Sequence, residues 1–321
     1  MGLDAAIYEP ATGKIFGVRG QWLFQFNATT GHYEQSLRFC DDSASPTSLT
    51  VISGTLYIAT WNIPNVDFHT SHPSPPGDIY IVNALTFAIT GQFNFQTVLG
   101  AGWSMYGFRS INTNGTRLMF AGFNQADPLV QTVFSVNPSN IPGYTYANSG
   151  GWINDSAYDS VNDLFWAPDT RYPLFYAFNN DVSNWSWDTG LIHTPTGVTH
   201  NVAQAKVYCV CGNRYLLRAT ALDALPMAWG PKFVVTNLDT GLATINPFRL
   251  KSVNNLPGNP YNGNLLIPTW KTNQVLVWNP ASDLAADMVI KTGFTAPIDI
   301  VNTPTKSFAV QTGLVGLKEI T

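Results

Sequence analysis

Short hydrophobic runs that end in asparagine recur along the whole chain. Each run has apolar or aromatic residues in at least two of the three positions before the asparagine; the runs are 24–27, 80–83, 134–137, 176–179, 234–237 and 276–279. The spacing of the asparagines varies from 42 residues (137 to 179) to 58 residues (179 to 237). Spacings of this size are typical of a repeated structural unit. A degraded seventh copy occupies 314–318.

Asparagine has a physical reason to stand at a strand end. Its side-chain oxygen can accept the backbone N–H two residues later, and the residue tolerates turn conformations. After Asn27 and Asn237 a glycine follows four residues on, at Gly31 and Gly241, and glycine can supply the positive φ that closes such a turn. We therefore expect each asparagine to open a tight turn between two strands.

Further strand-like runs accompany each asparagine-ended run. One precedes it directly, as in 15–18 and 56–59, another lies before that, and most turns lead into a fourth, as in 32–37. Four short antiparallel strands repeated about seven times predict an all-β fold, a single seven-bladed β-propeller over 1–321. Most blades should be four-stranded. The last should be three-stranded, without strand exchange between the termini.

One segment also resembles a known repeat. Residues 233–248 are similar to the YVTN-type repeat of surface-layer proteins. The resemblance covers about one blade, and it implies a propeller but no particular activity.

The predicted links between strands differ in length. Those from the second to the third strand are long in three blades, at 62–77, 124–131 and 220–231, whereas most links from the first to the second strand are tight turns. Binding residues often lie on elaborated loops of a rigid scaffold. We expect one working face there, with candidate binding residues in or beside the long links: Trp61, Phe68, His69, His72, Asp127 and Trp229.

A second candidate site lies at the predicted inner strands. Polar and charged residues near the starts of these strands could converge on the axis of a propeller, and the candidates are Arg109, Asp155, His200 and Asp299. Asn254 and Asn255 belong to the same set of predicted strand starts. Such residues can line a channel or hold a ligand, and the sequence leaves both interpretations open.

Composition narrows the class of protein. Charged residues make up 11% of the 321 residues, against about 25% in a typical soluble domain. The net charge of −4 gives no basic footprint for nucleic acid, and no apolar run approaches the ~18 residues of a membrane span. The first residues lack the basic and apolar regions of a secretory signal. These features favour a virion protein, with a secreted protein as the alternative location.

Catalytic signatures are missing from the sequence. It contains no nucleophile elbow, zinc-protease helix motif, phosphate-binding loop or Cys-x-x-Cys pair, and three cysteines make no disulfide framework. We therefore expect no cofactor and no metal. The favoured function is a non-enzymatic binding or structural propeller of a phage or virus particle, contacting other virion proteins or a host-surface receptor or glycan. The alternative is a carbohydrate-active hydrolase or lyase with an axial site.

Overall fold

The computed structural model describes most of the chain. The described residues are 2–40, 44–62, 78–94, 105–124, 131–149, 153, 155–169, 174–182, 184–188, 195–211, 215–222, 232–239, 249–281, 288–313 and 316–321. All regular structure in these ranges is β-strand, and they contain no helix. The chain divides into two units, Leu3–Ile153 and Asn154–Thr321, with Met1–Gly2 grouped with the latter.

The first unit contains twelve strands among its described residues. They are β1 (Ala5–Glu9), β2 (Lys14–Arg19), β3 (Trp22–Asn27), β4 (Tyr33–Arg38), β5 (Ala44–Ile52), β6 (Thr55–Asn62), β7 (Asp78–Asn83), β8 (Ala88–Asn94), β9 (Met105–Thr113), β10 (Leu118–Asn124), β11 (Gln131–Asn137) and β12 (Asn140–Ser149). They form three antiparallel meanders of four strands in chain order. Pairing of Trp61 with Gly107 joins the second and third meanders into one eight-stranded sheet.

The second unit contains fifteen strands among its described residues. They are β13 (Ala157–Asp159), β14 (Leu164–Pro168), β15 (Leu174–Phe178), β16 (Asn184–Asp188), β17 (Pro195–Asn201), β18 (Lys206–Cys211), β19 (Tyr215–Leu222), β20 (Lys232–Asp239), β21 (Lys251–Ser252), β22 (Leu265–Thr269), β23 (Gln274–Trp278), β24 (Val289–Lys291), β25 (Pro297–Asn302), β26 (Ser307–Gln311) and β27 (Leu317–Glu319). They form three four-stranded meanders and a final three-stranded one. The predicted all-β fold of repeated four-stranded units with a shorter last unit is confirmed.

Within each unit the first strands of successive meanders lie side by side. In the first unit β1 contacts β5 and β5 contacts β9; in the second, β13 contacts β17, β17 contacts β21 and β21 contacts β25. The first strand is therefore the inner strand of each meander, and the fourth strand is the outer one. Outer strands are more exposed, as in β4 and β24.

The core explains why the second and third strands are apolar without interruption. In β6, Leu56 and Ile58 pack towards the first meander, whereas Tyr57 and Ala59 pack towards the third. Successive side chains of a strand point to opposite faces. Because a neighbouring meander covers each face, both sets of side chains are buried, and a continuous hydrophobic run results.

The asparagine turns form as the sequence predicts. In five of the six runs the asparagine Oδ1 accepts the backbone N–H of the residue two positions later, at 2.9–3.0 Å; the five are Asn27, Asn83, Asn137, Asn179 and Asn279. Gly31 has the expected positive φ of 70°. The turn after Asn83 is closed instead by Phe87, with φ 51°.

The remaining asparagine, Asn237, corrects one prediction. Asn237 lies inside β20, where it pairs with Leu217 of β19. β20 is the fourth strand of its meander, because β19 already fills the third position. The link that was expected to join a second to a third strand at 220–231 therefore joins a third to a fourth strand. The links after β6 and β10 do join second to third strands as predicted.

Candidate functional site

Four charged residues gather near the starts of the inner strands of the second unit. Asp155 precedes β13, Arg249 precedes β21, Lys251 opens β21, and Asp299 lies near the start of β25. We call these four residues the inner-strand cluster. Asp155, Arg249 and Asp299 are buried, so their charges must be balanced inside the protein.

Arg249 and Asp299 form a buried ion pair. The Arg249 Nη1 lies 2.9 Å from the Asp299 Oδ2, and less than a tenth of either side chain is exposed. The other carboxylate oxygen of Asp299 accepts the backbone N–H of Ile300 at 2.8 Å. The pair joins the segment before β21 to β25, and thus two neighbouring inner strands.

Asp155 is linked to the next inner strand by its carboxylate. Its Oδ2 accepts the backbone N–H of Val198, in β17, at 3.0 Å. Burial raises the pKa of Asp155 above its usual value, and the nearby charge of Asp299 raises it further, whereas Lys251, Arg249 and the Val198 hydrogen bond lower it. Loss of hydration outweighs the favourable interactions, because a buried carboxylate is costly without full compensation.

His200 belongs to a different contact. It lies near the end of β17, and its Nε2 is 3.1 Å from the Asp159 Oδ1 at the end of β13. Burial lowers the pKa of His200, and Asp159 opposes this effect. Asp159 also accepts the backbone N–H of Val161 at 2.9 Å and the indole N–H of Trp166 at 3.3 Å. This arrangement holds the turn after β13 against β17.

Asparagines connect the ends of the later inner strands. Asn254 Nδ2 donates to the His200 carbonyl at 2.7 Å, and Asn201 Nδ2 donates to Ser252 Oγ at 2.8 Å. Asn259 donates to the Thr303 carbonyl at 3.0 Å. The prediction that Asn254 and Asn255 begin an inner strand is wrong: they follow β21, inside the link that leads to β22.

The predicted axial candidates make different contacts. Asp155 and Asp299 interact electrostatically, whereas His200 is paired with Asp159. Arg109 lies in β9 and Trp61 in β6, both in the first unit. The other binding candidates lie outside the described residues; they are Phe68, His69, His72, Asp127 and Trp229.

Sequence reasoning missed Arg249 and Lys251. They flank the fully buried Leu250, and this alternation of basic and apolar residues is a strand signal. Two charged residues two positions apart share one face of a strand. The inner strand was instead expected at Asn254, and these two residues were not considered.

The described residues contain no group of three or more histidine, cysteine, aspartate or glutamate side chains placed to hold a metal ion. No helix that is long and apolar enough for a membrane crossing occurs in the same ranges.

Comparisons with known proteins identify the fold. No protein-family model matches the chain, and no curated protein matches it. Its structure is similar to a chain in the crystal structure of the mitotic checkpoint complex, with TM-score 0.67 and 9% identity, covering 96% of this chain and 87% of that one. It is also similar to the β-propeller domain of Cps50 (Swd1) from Myceliophteria thermophila, with TM-score 0.69 and 10% identity, covering 99% and 96%. The chain has a β-propeller fold.

Proposed function

We propose that this chain is a non-enzymatic binding or structural propeller. The observation that carries the proposal is the set of contacts made by buried polar groups: Arg249 pairs with Asp299, Asp155 accepts the Val198 N–H, and His200 contacts Asp159. Each of these contacts joins neighbouring strands. They therefore serve as connections within the scaffold, and recognition is left to the links between strands.

The partners would be proteins or glycans at a particle or cell surface. One of the two similar structures comes from a multi-protein complex, which fits a role in protein binding. The low charge of 11% fits a component of a phage or virus particle, at its tail, fibre or capsid surface. Such a component would contact a neighbouring virion protein or a host receptor or glycan. A secreted scaffold is the alternative location.

The contact would be made by the links after β6 and β10. These links span 63–77 and 125–130 and join second to third strands. The first contains aromatic and histidine residues, including Phe68 and His69, which suit stacking on sugar rings or burial against a protein.

Gene neighbourhood and a glycan array test this proposal together. Flanking portal, tail or capsid genes are expected, and the purified chain should bind members of a defined glycan array or a purified protein encoded by a flanking gene. A variant in which a short Gly-Ser turn replaces 63–77 should fold but lose that binding. Metabolic genes on both sides, with no binding to either probe, would contradict the proposal.

One observation supports the alternative of a carbohydrate-active hydrolase or lyase. Burial raises the pKa of Asp155 while Asp299 lies close enough to interact with it, and glycosidases use two carboxyl groups in contrasting environments. An activity screen on polysaccharides, with and without a chelator, tests this function. Turnover by the wild type that is abolished in Asp155→Asn would support it over the binding role.

A further inference from the structure

The last meander has one sheet edge with which no described strand pairs. It has the order β25-β26-β27, and no described strand pairs with the other edge of β27. In each of the other six meanders a fourth strand occupies the corresponding position beside the third. A fourth strand can therefore pair with that edge of β27 in the same way.

The hydrogen-bond register shows which backbone groups face the open edge. Ile320 N donates to Ser307 O, and Gln311 N donates to Gly316 O, each at 2.9 Å. Lys318 pairs with Ala309 in the same ladder. Hydrogen-bonded pairs alternate along an antiparallel ladder, so the N–H and C=O groups of Lys318 face β26. Those of Leu317 and Glu319 consequently face away from the sheet.

The edge strand is held in place on its own side. Leu317 and Ile320 are buried, Tyr261 Oη donates to the Ile320 carbonyl at 3.1 Å, and Lys306 pairs with Glu319 at 2.7 Å. An incoming strand would meet a fixed row of donors and acceptors. Little ordering of the protein would be needed on binding.

Charge determines the kind of strand that fits. Lys318 is exposed, and its ammonium group contacts the Gly293 carbonyl and the Phe294 ring. None of the ion pairs among the described residues involves it. A residue opposite Lys318 in a docked strand would form a non-hydrogen-bonded pair, in which side chains lie closest. A carboxylate there is favourable, whereas a second copy docked around Lys318 would place two lysines together.

We propose that the open edge of β27 binds an extended, acidic peptide segment of a partner protein as the fourth strand of the last meander. The partner's backbone pairs with the outward groups of Leu317 and Glu319, and its acidic residue lies opposite Lys318. This is β-strand addition to a sheet edge. β27 belongs to the second unit, whereas the links after β6 and β10 belong to the first, and the inference does not depend on the function proposed above.

Binding of labelled peptides to the full chain tests the inference. The probe is a short peptide that alternates threonine and valine and carries one central glutamate; its control carries lysine instead. Fluorescence anisotropy should detect binding of the acidic peptide, at least about threefold tighter than that of the lysine peptide. Lys318→Glu should reverse this preference.

A proline variant separates strand pairing from charge alone. Glu319→Pro removes only an outward N–H, which an edge strand tolerates, and it should weaken binding at least about tenfold. Its matched control, Glu319→Ala, keeps the N–H and should bind like the wild type. If the proline variant does not fold, peptides N-methylated on alternate residues replace it, and only methylation of the groups that face β27 should abolish binding.

Each contrary result has a definite meaning. Absence of binding by the acidic peptide, or equal binding by the proline and alanine variants, would overturn the inference. Self-association of the wild type that the proline variant lacks would make a second copy the occupant, which also overturns it. A variant with 63–77 replaced should bind the peptide normally. Failure of the proposed function can therefore be distinguished from failure of this inference.

Discussion

The side-chain oxygen of asparagine fixes the turn at the end of most third strands. At Asn83 the Oδ1 accepts two backbone N–H groups, those of Leu85 and Thr86, at 3.0 and 2.9 Å. The side-chain amide of Asn83 thus fixes the backbone conformation of the turn from 84 to 86. This local geometry explains why the same residue recurs at five turns of the described structure.

Replacement of Asn83 tests this explanation. Asn83→Ala should lower the free energy of unfolding by about 1 kcal/mol, because two exposed N–H groups lose their acceptor. Asn83→Asp keeps an acceptor oxygen and should retain most of the stability. Urea denaturation followed by tryptophan fluorescence gives both values. Equal losses in the two variants would show that the side-chain oxygen does not stabilise the turn.

The buried carboxyl of Asp155 should make stability depend on pH. Burial raises its pKa in the folded protein above the unfolded value near 3.8. Below that value both states hold the proton, and as the pH rises the unfolded chain releases it first. Ionisation of Asp155 therefore lowers the stability of the folded protein at neutral pH.

Asp155→Asn removes this cost while keeping an acceptor for the Val198 N–H. The variant should be more stable than the wild type at pH 7, and the difference should disappear near pH 3. Thermal denaturation at several pH values measures this. A variant less stable than the wild type at pH 7 would mean that Arg249 and Lys251 outweigh the loss of hydration.

At the scale of strands, the link between β21 and β22 connects two meanders. Asn259 is buried; its Nδ2 donates to Thr303 O and Ser307 Oγ, both at 3.0 Å, and its Oδ1 accepts the Tyr261 N–H at 2.9 Å. These bonds hold the link against the turn after β25. The neighbouring Asn262 instead makes an exposed bond to Leu256 N.

This difference in burial predicts different costs for the two asparagines. Asn259→Ala should lower the free energy of unfolding by about 3 kcal/mol, since buried groups lose their partners, whereas Asn262→Ala should cost about 1 kcal/mol or less. Chemical denaturation of the two variants in parallel provides the measurement. Similar losses in both would contradict the structural role assigned to Asn259.

The strands themselves were largely predictable, and their order within a meander was less so. Successive side chains of a strand point to opposite faces, and both faces of the second and third strands are buried. These strands are therefore continuous apolar runs, and they could be recognised in the sequence. The run 234–237 has the same composition as the third strands, but β19 pairs with it and makes it a fourth strand. Composition reports burial, whereas strand position depends on pairing with residues distant in sequence.

The candidate site was predictable only in part, for a similar reason. Asp155, His200 and Asp299 were recognised as charged groups near inner strands. The ion pair of Asp299 with Arg249 joins residues 50 positions apart, and a single sequence gives no signal for that pairing. The contact of His200 with Asp159 likewise joins the first strands of two different meanders, and a single sequence gives no signal for it.

At the scale of the whole molecule, a repeated meander provides a scaffold whose buried charges connect its strands. The two similar structures share the fold at 9% and 10% identity, so packing of apolar strands, rather than any particular set of residues, defines the architecture. Function is then expected where the repeats differ from one another. The links between second and third strands differ in length, and the longest of them is 63–77.

Quantitative mass spectrometry of purified particles tests the central claim most directly. Three alleles would be compared in the phage or virus that the proposal expects to carry the gene: the wild type, Asp155→Asn, and the replacement of 63–77 by a short turn. The account predicts that the first two chains are present in a constant ratio to the capsid protein, and that the third is lost from particles or yields particles that fail to adsorb. Absence of the wild-type chain from purified particles would contradict it.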